Sequence, residues 1–304
     1  MNNNRFLRAI AISLISNNGK FSYSQTGKMY SKISSYQVKR WLDKNRNEQK
    51  ELEKYITKLN IDWSKGWLII DDTVIEKPFS KTNECVYWQY SSKNADFVTG
   101  ISLTVLLWCD GKQNIPIQFM IYEKDENGKA IKTKNEFALE SLQYALSLGI
   151  KPSKVCFDSK YSSSKLLNRS DNNNLTYYSQ LASNRSFNGQ QLKMHRFRPC
   201  AETGYLKGVG HRVSVAKHCK RYYVANATGK WVIRQQIVKE YRARRKIEVL
   251  FRNLNRLCHL EECQNRRTTA QKHYVYACIQ ALLLLERQNK RSLHETKNIF
   301  NKNL

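Results

Sequence analysis

Trp67-Leu-Ile-Ile70-Asp71-Asp72-Thr73 is a short apolar run that ends on two adjacent carboxylates. Apolar side chains in unbroken succession, bounded by polar residues, suit a strand covered on both faces. A carboxylate at the end of such a strand is directed into a site and not into bulk core. The pattern recurs at Lys154-Val-Cys-Phe157, which is followed by Asp158-Ser159. Between the two, Phe97 to Cys109 is rich in β-branched and apolar residues, Asp110-Gly111 supplies a tight turn, and Ile115 to Tyr122 returns as the second strand of a hairpin. Asn135 to Leu148 has helical character and is closed by Gly149, and Leu175 to Ala182 is a further short strand.

A third carboxylate stands near the C-terminus in Tyr241-Arg-Ala-Arg244-Arg-Lys-Ile-Glu248-Val-Leu-Phe-Arg252-Asn-Leu-Asn255. Wound as one α-helix at about 100° per residue, this segment places Tyr241, Arg244, Arg252 and Asn255 within about 40° of Glu248. Ile247, Leu250, Leu254 and Leu257 then form a packing seam on the opposite side. Two Asp at strand ends and one Glu inside a stripe of phosphate-binding side chains make a divalent-metal donor set, so Asp71, Asp158 and Glu248 are the expected catalytic residues and metal ligands. Hard oxygen ligands suit Mg²⁺ or Mn²⁺, and two such ions about 3.5–4 Å apart activate water on one side of a phosphodiester and stabilise the leaving oxygen on the other. Asp72 is the alternative to Asp71, because strand alternation sends the two to opposite faces.

The order of elements is three strands of which two form a hairpin, a helix, the strand of the second aspartate, a helix, another strand, and later the glutamate helix. That order is the plan of an RNase H-like α/β fold with a mixed sheet. It divides the chain into a helical region over 1–65, the first part of the core over 66–182, an insertion over 183–235, closing helices over 236–290 and a basic tail over 291–304. The insertion is expected to be β-rich, being punctuated by Gly189, Gly204, Gly208 and Gly210 and strewn with Lys and Arg, and it either clamps DNA beside the site or is a basic surface hairpin. Trp231 within it is a candidate for stacking on an unpaired base, set against an ordinary core role. At the other end of the chain, Arg5 to Ile15 is amphipathic, and Ser34 caps a second segment through Asp43 in an arrangement like a helix-turn-helix. In the DNA-reading version Tyr36, Gln37, Lys39 and Arg40 reach a groove while Val38, Trp41 and Leu42 pack inward. The alternative is a helical cap that touches only backbone phosphate. Glu48 to Leu59 would be a connecting helix.

Lys+Arg 52 against Asp+Glu 25 leaves a net charge of +27, which predicts a polyanionic partner, double-stranded DNA above all. Hydrophobic content of 41% is enough for a proper core. The longest apolar stretch, Ala281 to Leu285, is too short for a bilayer, and no secretory signal pattern is present, so the expectation is a cytoplasmic protein without a membrane partner. The 8 cysteines form no CxxC pair, which argues against a zinc ribbon and a disulfide framework; Cys258, His259 and Cys263 lack a fourth ligand and suit packing.

Ile70-Asp71-Asp72-Thr73-Val-Ile-Glu76-Lys77-Pro78, Val155-Cys-Phe-Asp158-Ser159-Lys-Tyr, and Tyr241, Arg244 and Glu248 in a Y-x2-R-x3-E pattern resemble the three motifs of DDE transposases of bacterial insertion sequences, in the fourth insertion-sequence family and its relatives. The likeness runs from about residue 30 to 290. It implies an RNase H-like core interrupted by a β-rich insertion, two Mg²⁺ or Mn²⁺ ions on the acidic triad, nicking at element ends followed by strand transfer, a homodimer on paired ends, and a bacterial, nucleoid-associated setting. The Asp-x-Thr spacing of RNase H-like first strands favours Asp71 over Asp72. The family pattern ends in lysine seven residues after the glutamate, where this chain has Asn255 with Arg256 beside it. Either Arg252 or Arg256 replaces that phosphate contact, or the copy is impaired. A nuclease that cuts without joining, and a catalytically silent DNA-binding derivative, are the competing classes.

Overall fold

The structure is a computed structural model and describes residues 3–16, 21–29, 33–44, 46–80, 82–91, 94–227 and 233–287. Trp231 and the basic tail lie outside them. The chain begins with helices α1 (Asn3–Ser16), α2 (Tyr23–Met29), α3 (Ser35–Asp43) and α4 (Glu48–Ile56). Strands β1 (Trp67–Glu76), β2 (Tyr87–Ser91), β3 (Asp96–Cys109) and β4 (Asn114–Ile121) follow, then α5 (Lys134–Ser147), β5 (Lys154–Phe157), α6 (Ser164–Asn172) and β6 (Thr176–Leu181). A short ribbon, β7 (Ser186–Phe187) and β8 (Gln190–Gln191), precedes β9 (Glu202–Tyr205), β10 (Arg212–His218) and β11 (Arg221–Ala225). Helices α7 (Arg234–Tyr241), α8 (Arg245–Cys258) and α9 (Thr268–Arg287) close the described chain.

One mixed sheet runs β2-β3-β1-β5-β6-β11-β10-β9, and β4 pairs with the other half of the outer side of β3. β1 is antiparallel to β3 and parallel to β5, and β5 is parallel to β6. This is the strand order of the RNase H-like α/β core. Helix α5 covers one face, while α7, α8 and α9 cover the other. The apolar runs read from the sequence are buried to the centre: Leu68, Ile69, Ile70, Val155, Cys156 and Phe157 are all sealed from solvent.

Three features depart from the sequence reading. First, β1 does not end at Ile70 but continues to Glu76, because β3 stays paired with it as far as Glu76↔Gly100. What stops at Ile70 is the parallel partner, whose last pair is Ile70↔Phe157. The apolar run ends where one neighbour ends, since only there does β1 lose cover. Second, Tyr87–Ser91 is an edge strand that the pattern did not announce. Third, the strands of the glycine-punctuated segment extend the central sheet, β11 pairing with β6 from Tyr222↔Leu181 to Ala225↔Tyr178.

The N-terminal helices share the core of the sheet domain. Ile10 and Leu14 of α1 are fully buried, the Phe21 ring meets Tyr274 of α9 edge-on at 5.1 Å, and the Phe21 amide donates to Glu262 at 2.9 Å. Ser34 caps α3 through a reciprocal capping box with Gln37, which leaves Val38, Trp41 and Leu42 inward and Lys39 and Arg40 exposed.

Candidate active site

β1 delivers Asp71 and Asp72 one and two residues beyond its last pair with β5, and Asp158 follows β5 directly, so the two aspartate segments meet at one level of the sheet. Alternation then separates the neighbours. Asp71 faces the α8 side and is 7% exposed. Asp72 faces α5, where Lys134 from the first turn of that helix pairs with it at 2.6 Å, the Tyr161 hydroxyl donates to it at 3.0 Å, and the Lys160 ammonium lies at 3.8 Å.

The glutamate segment is not one uninterrupted α-helix. Helix α7 ends at Tyr241, Arg242–Arg244 is a 3-10 turn, and α8 begins at Arg245. Each residue of the tighter turn advances more around the axis than an α residue. Tyr241 is buried and its hydroxyl donates to Asp158 Oδ1 at 3.3 Å. Arg244 inserts its guanidinium between the acids, donating from one terminal nitrogen to Asp71 and from the other to Glu248. Glu248 itself is nearly half exposed. Tyr241 and Arg244 thus hold the protein's own carboxylates, whereas Arg252 and Arg256 project into solvent about one and two turns further along α8. The seam of Ile247, Leu250, Leu254 and Leu257 is buried as expected. Asn255 turns away from the stripe, its side-chain amide donating to Glu261 at 2.5 Å.

Burial pushes Asp71 up to about 7, with Asp72 and Asp158 adding to the effect and Arg244 opposing it. Burial acts on Asp72 in the same direction but is overcome by Lys134 and Lys160, which hold it below the usual carboxylate range. Tyr241 and Tyr161 are driven well above the ordinary phenol range, chiefly by burial, and remain hydrogen-bond donors. Among the described residues no three His, Cys, Asp or Glu side chains are gathered as a ready metal site. The guanidinium of Arg244 stands between Asp71 and Glu248 and supplies the positive charge those oxygens face. Cys258 and Cys263 are buried and in no disulfide, and His259 sits beside Glu262 at 2.7 Å. No helix among the described residues is long and apolar enough to cross a membrane.

Sequence reasoning missed Lys134, Lys160 and Tyr161. The last two follow Asp158 in the motif already quoted. Lys134 carries no local signal, because it reaches Asp72 only when α5 starts beside β1. Lys77 was noted only as part of a motif; it is half-buried and donates to the carbonyls of Glu261 at 2.6 Å and Cys263 at 2.7 Å, pinning the end of β1 to the link between α8 and α9.

Residues 62–284 match the family described as Transposase DDE domain. The fold resembles that of piggyBac transposase, solved as a synaptic complex with hairpin DNA, with a TM-score of 0.54 at 13% identity over 98% of this chain and 70% of that one. The Drosophila P element transposase, solved as a strand transfer complex, aligns at 11% identity over 99% of this chain and 63% of that one, with a TM-score of 0.31. No curated protein matches the sequence significantly. The family match takes in both aspartate segments and the glutamate helix on the sheet that brings them together, and the chain belongs to the DDE transposase family.

Proposed function

We propose that this protein nicks DNA at the ends of a bacterial insertion sequence and joins those ends to target DNA, with Asp71, Asp158 and Glu248 as the catalytic carboxylates. The observation that carries the reading is a buried Asp71 that shares one guanidinium with Glu248 and feels the charge of Asp158. Donor chemistry fits two divalent ions: three carboxylates, no thiolate or imidazole among them, and an Asp71 whose ionisation needs a nearby positive charge. Bound there, Mg²⁺ or Mn²⁺ would activate the attacking oxygen and stabilise the leaving one.

The chain's own residues do the rest. Asp72, fixed by Lys134 and Tyr161, holds the strand at the level of the site and adds negative charge beside Asp71. Tyr241 orients Asp158 through its hydroxyl. Arg244 neutralises Asp71 and Glu248 until DNA arrives, and then turns to a phosphate oxygen, a charge-assisted contact its planar fork suits. Arg252 and Arg256 extend that contact along the strand, and pairing of two ends calls for a homodimer.

Asp158→Ala and Glu248→Ala are expected to abolish Mg²⁺-dependent nicking of a duplex carrying an element end while DNA binding persists, because carboxylates hold metals and arginines hold phosphates. Nicking by either variant within about tenfold of the unaltered protein would sink the assignment. Asp71→Ala should be more damaging than Asp72→Ala. A precleaved end tests joining separately: nicking without strand transfer would identify a nuclease.

A further inference from the structure

The ribbon of β2 and β3 carries aromatic rings that no part of the described core covers. Trp88 is 69% exposed, Tyr90 50% and Phe97 52%, and Phe79 in the loop after β1 is 95% exposed. Trp88 and Phe97 lie nearly parallel, 13° apart with centroids 6.3 Å from one another, and Tyr90 meets Phe97 edge-on. Register assigns the side of the sheet. Tyr90 pairs with Phe97 and Trp88 with Thr99, so these side chains share a face, and counting forward along β3 by twos reaches Val105, which pairs with Asp71. The rings therefore stand on the same face as the catalytic carboxylate. Eight residues of strand separate Phe97 from Val105, about 27 Å, the rise of about eight base pairs of DNA.

Charge selects the occupant. Arg266 and Arg267 are exposed at the root of the ribbon, where the Arg266 carbonyl accepts from the Glu84 amide. Three acids lie nearby and are each held in place by a neutral donor: Asp96 accepts from the Phe97 amide, Glu76 from Asn94 and Glu84 from the Thr268 amide. The chain as a whole carries a net charge of +27 and attracts nucleic acid. Paired bases offer no free ring face, and unpaired ones do. We infer that Trp88, Tyr90 and Phe97 form a stacking platform for unpaired bases in the DNA beyond the cut site, with Arg266 and Arg267 on the adjoining backbone. The inference rests on the DNA-processing reading and adds a preference for locally melted DNA to it.

The test uses the full chain in Ca²⁺, with a labelled element-end duplex and the same duplex carrying a short unpaired bubble, stepped in position along the flank. Stacking on aromatic side chains predicts at least about tenfold tighter binding when the bubble falls about eight base pairs from the nick position. Trp88→Ala and Phe97→Ala should each erase most of that preference with duplex affinity, melting temperature and nicking unchanged, and Trp88→Phe should retain it. A 2-aminopurine in the bubble should be quenched by the unaltered protein and by Trp88→Phe, but not by the alanine variants. Equal affinity of the unaltered protein for both DNAs, or an unchanged preference in the alanine variants, overturns the inference. Conversion of a dimer to a monomer by those variants, with the preference intact, also overturns it and assigns the patch to a second copy. Absence of nicking by the unaltered protein defeats the transposase reading alone, because the bubble preference is measured without cleavage.

Discussion

Asp71 and Asp72 are adjacent in the chain, yet one is held up at about 7 by burial and like charge while the other is held below the carboxylate range by two lysines. The consequence for stability follows from the direction of each shift. Raised in the folded state, Asp71 favours folding fully below its unfolded value of about 4, and this contribution is lost as pH rises toward about 7. Asp72 is depressed, so its contribution is present above the unfolded value and is lost as pH falls through the folded one. Asp71→Asn, neutral at every pH, should therefore melt higher than the unaltered protein in metal-free buffer at pH 8, with the gap closing toward pH 4. The size should be several degrees, since each pKa unit is about 1.4 kcal/mol and 1 kcal/mol shifts a domain of this size by about 2 °C. Scanning calorimetry at both pH values checks this. An Asp71→Asn melting point equal to or below that of the unaltered protein at pH 8 would show that the Arg244 pair outweighs burial.

Helix α8 and the link that follows it hold the main departure from the family pattern. Asparagine at 255 was expected to weaken a phosphate contact, but its amide is engaged with Glu261 across the turn. A lysine placed there would meet the same carboxylate before any phosphate, so Asn255→Lys alone should change strand transfer of a precleaved end by less than about threefold. Adding Glu261→Gln frees the new ammonium, and the pair should then raise end binding by about tenfold, the scale of a charge-assisted phosphate contact. A single variant as active as the double one would show that Glu261 does not hold the side chain. The same link depends on Lys77, whose loss removes two part-buried hydrogen bonds to its carbonyls. Lys77→Met is expected to lower stability by about 1–3 kcal/mol in denaturant unfolding, with Asp71 chemistry impaired only through the displaced end of β1.

Helices α1, α3 and α4 pack against α9, and α2 packs against α1 and α3, so the whole molecule does not divide into a removable reader and a catalytic core. Deleting the first 60 or so residues would strip cover from α9 and test folding instead of recognition. Surface changes avoid this: Lys39 and Arg40 are exposed on α3 while Val38, Trp41 and Leu42 hold the helix in place. Lys39→Ala with Arg40→Ala should weaken DNA binding and reduce the slope of log K against log salt by about 1.8 if each side chain neutralises one phosphate. A loss confined to element-end duplex, measured by competition with random duplex, marks base reading by α3. An equal loss on both DNAs marks a phosphate-only cap.

Strand and helix character, the apolar seam of α8, the capping of α3 by Ser34 and the elements that carry Asp71, Asp158 and Glu248 were legible in the sequence, because period, capping and burial act over a few residues. The same local rule misjudged where β1 ends, since a run of apolar residues reports how many neighbours a strand has, and β1 continues beside β3 after losing β5. It also treated Tyr241 to Asn255 as one helix facing phosphate. Only the tertiary structure decided that Arg244 lies between Asp71 and Glu248, that Asp72 belongs to Lys134 and Tyr161, and that the basic segment after β6 widens the central sheet. Those outcomes depend on residues between about 40 and 170 positions apart meeting across a sheet, and on which face each strand residue takes. Local periodicity carries no record of a partner that distant.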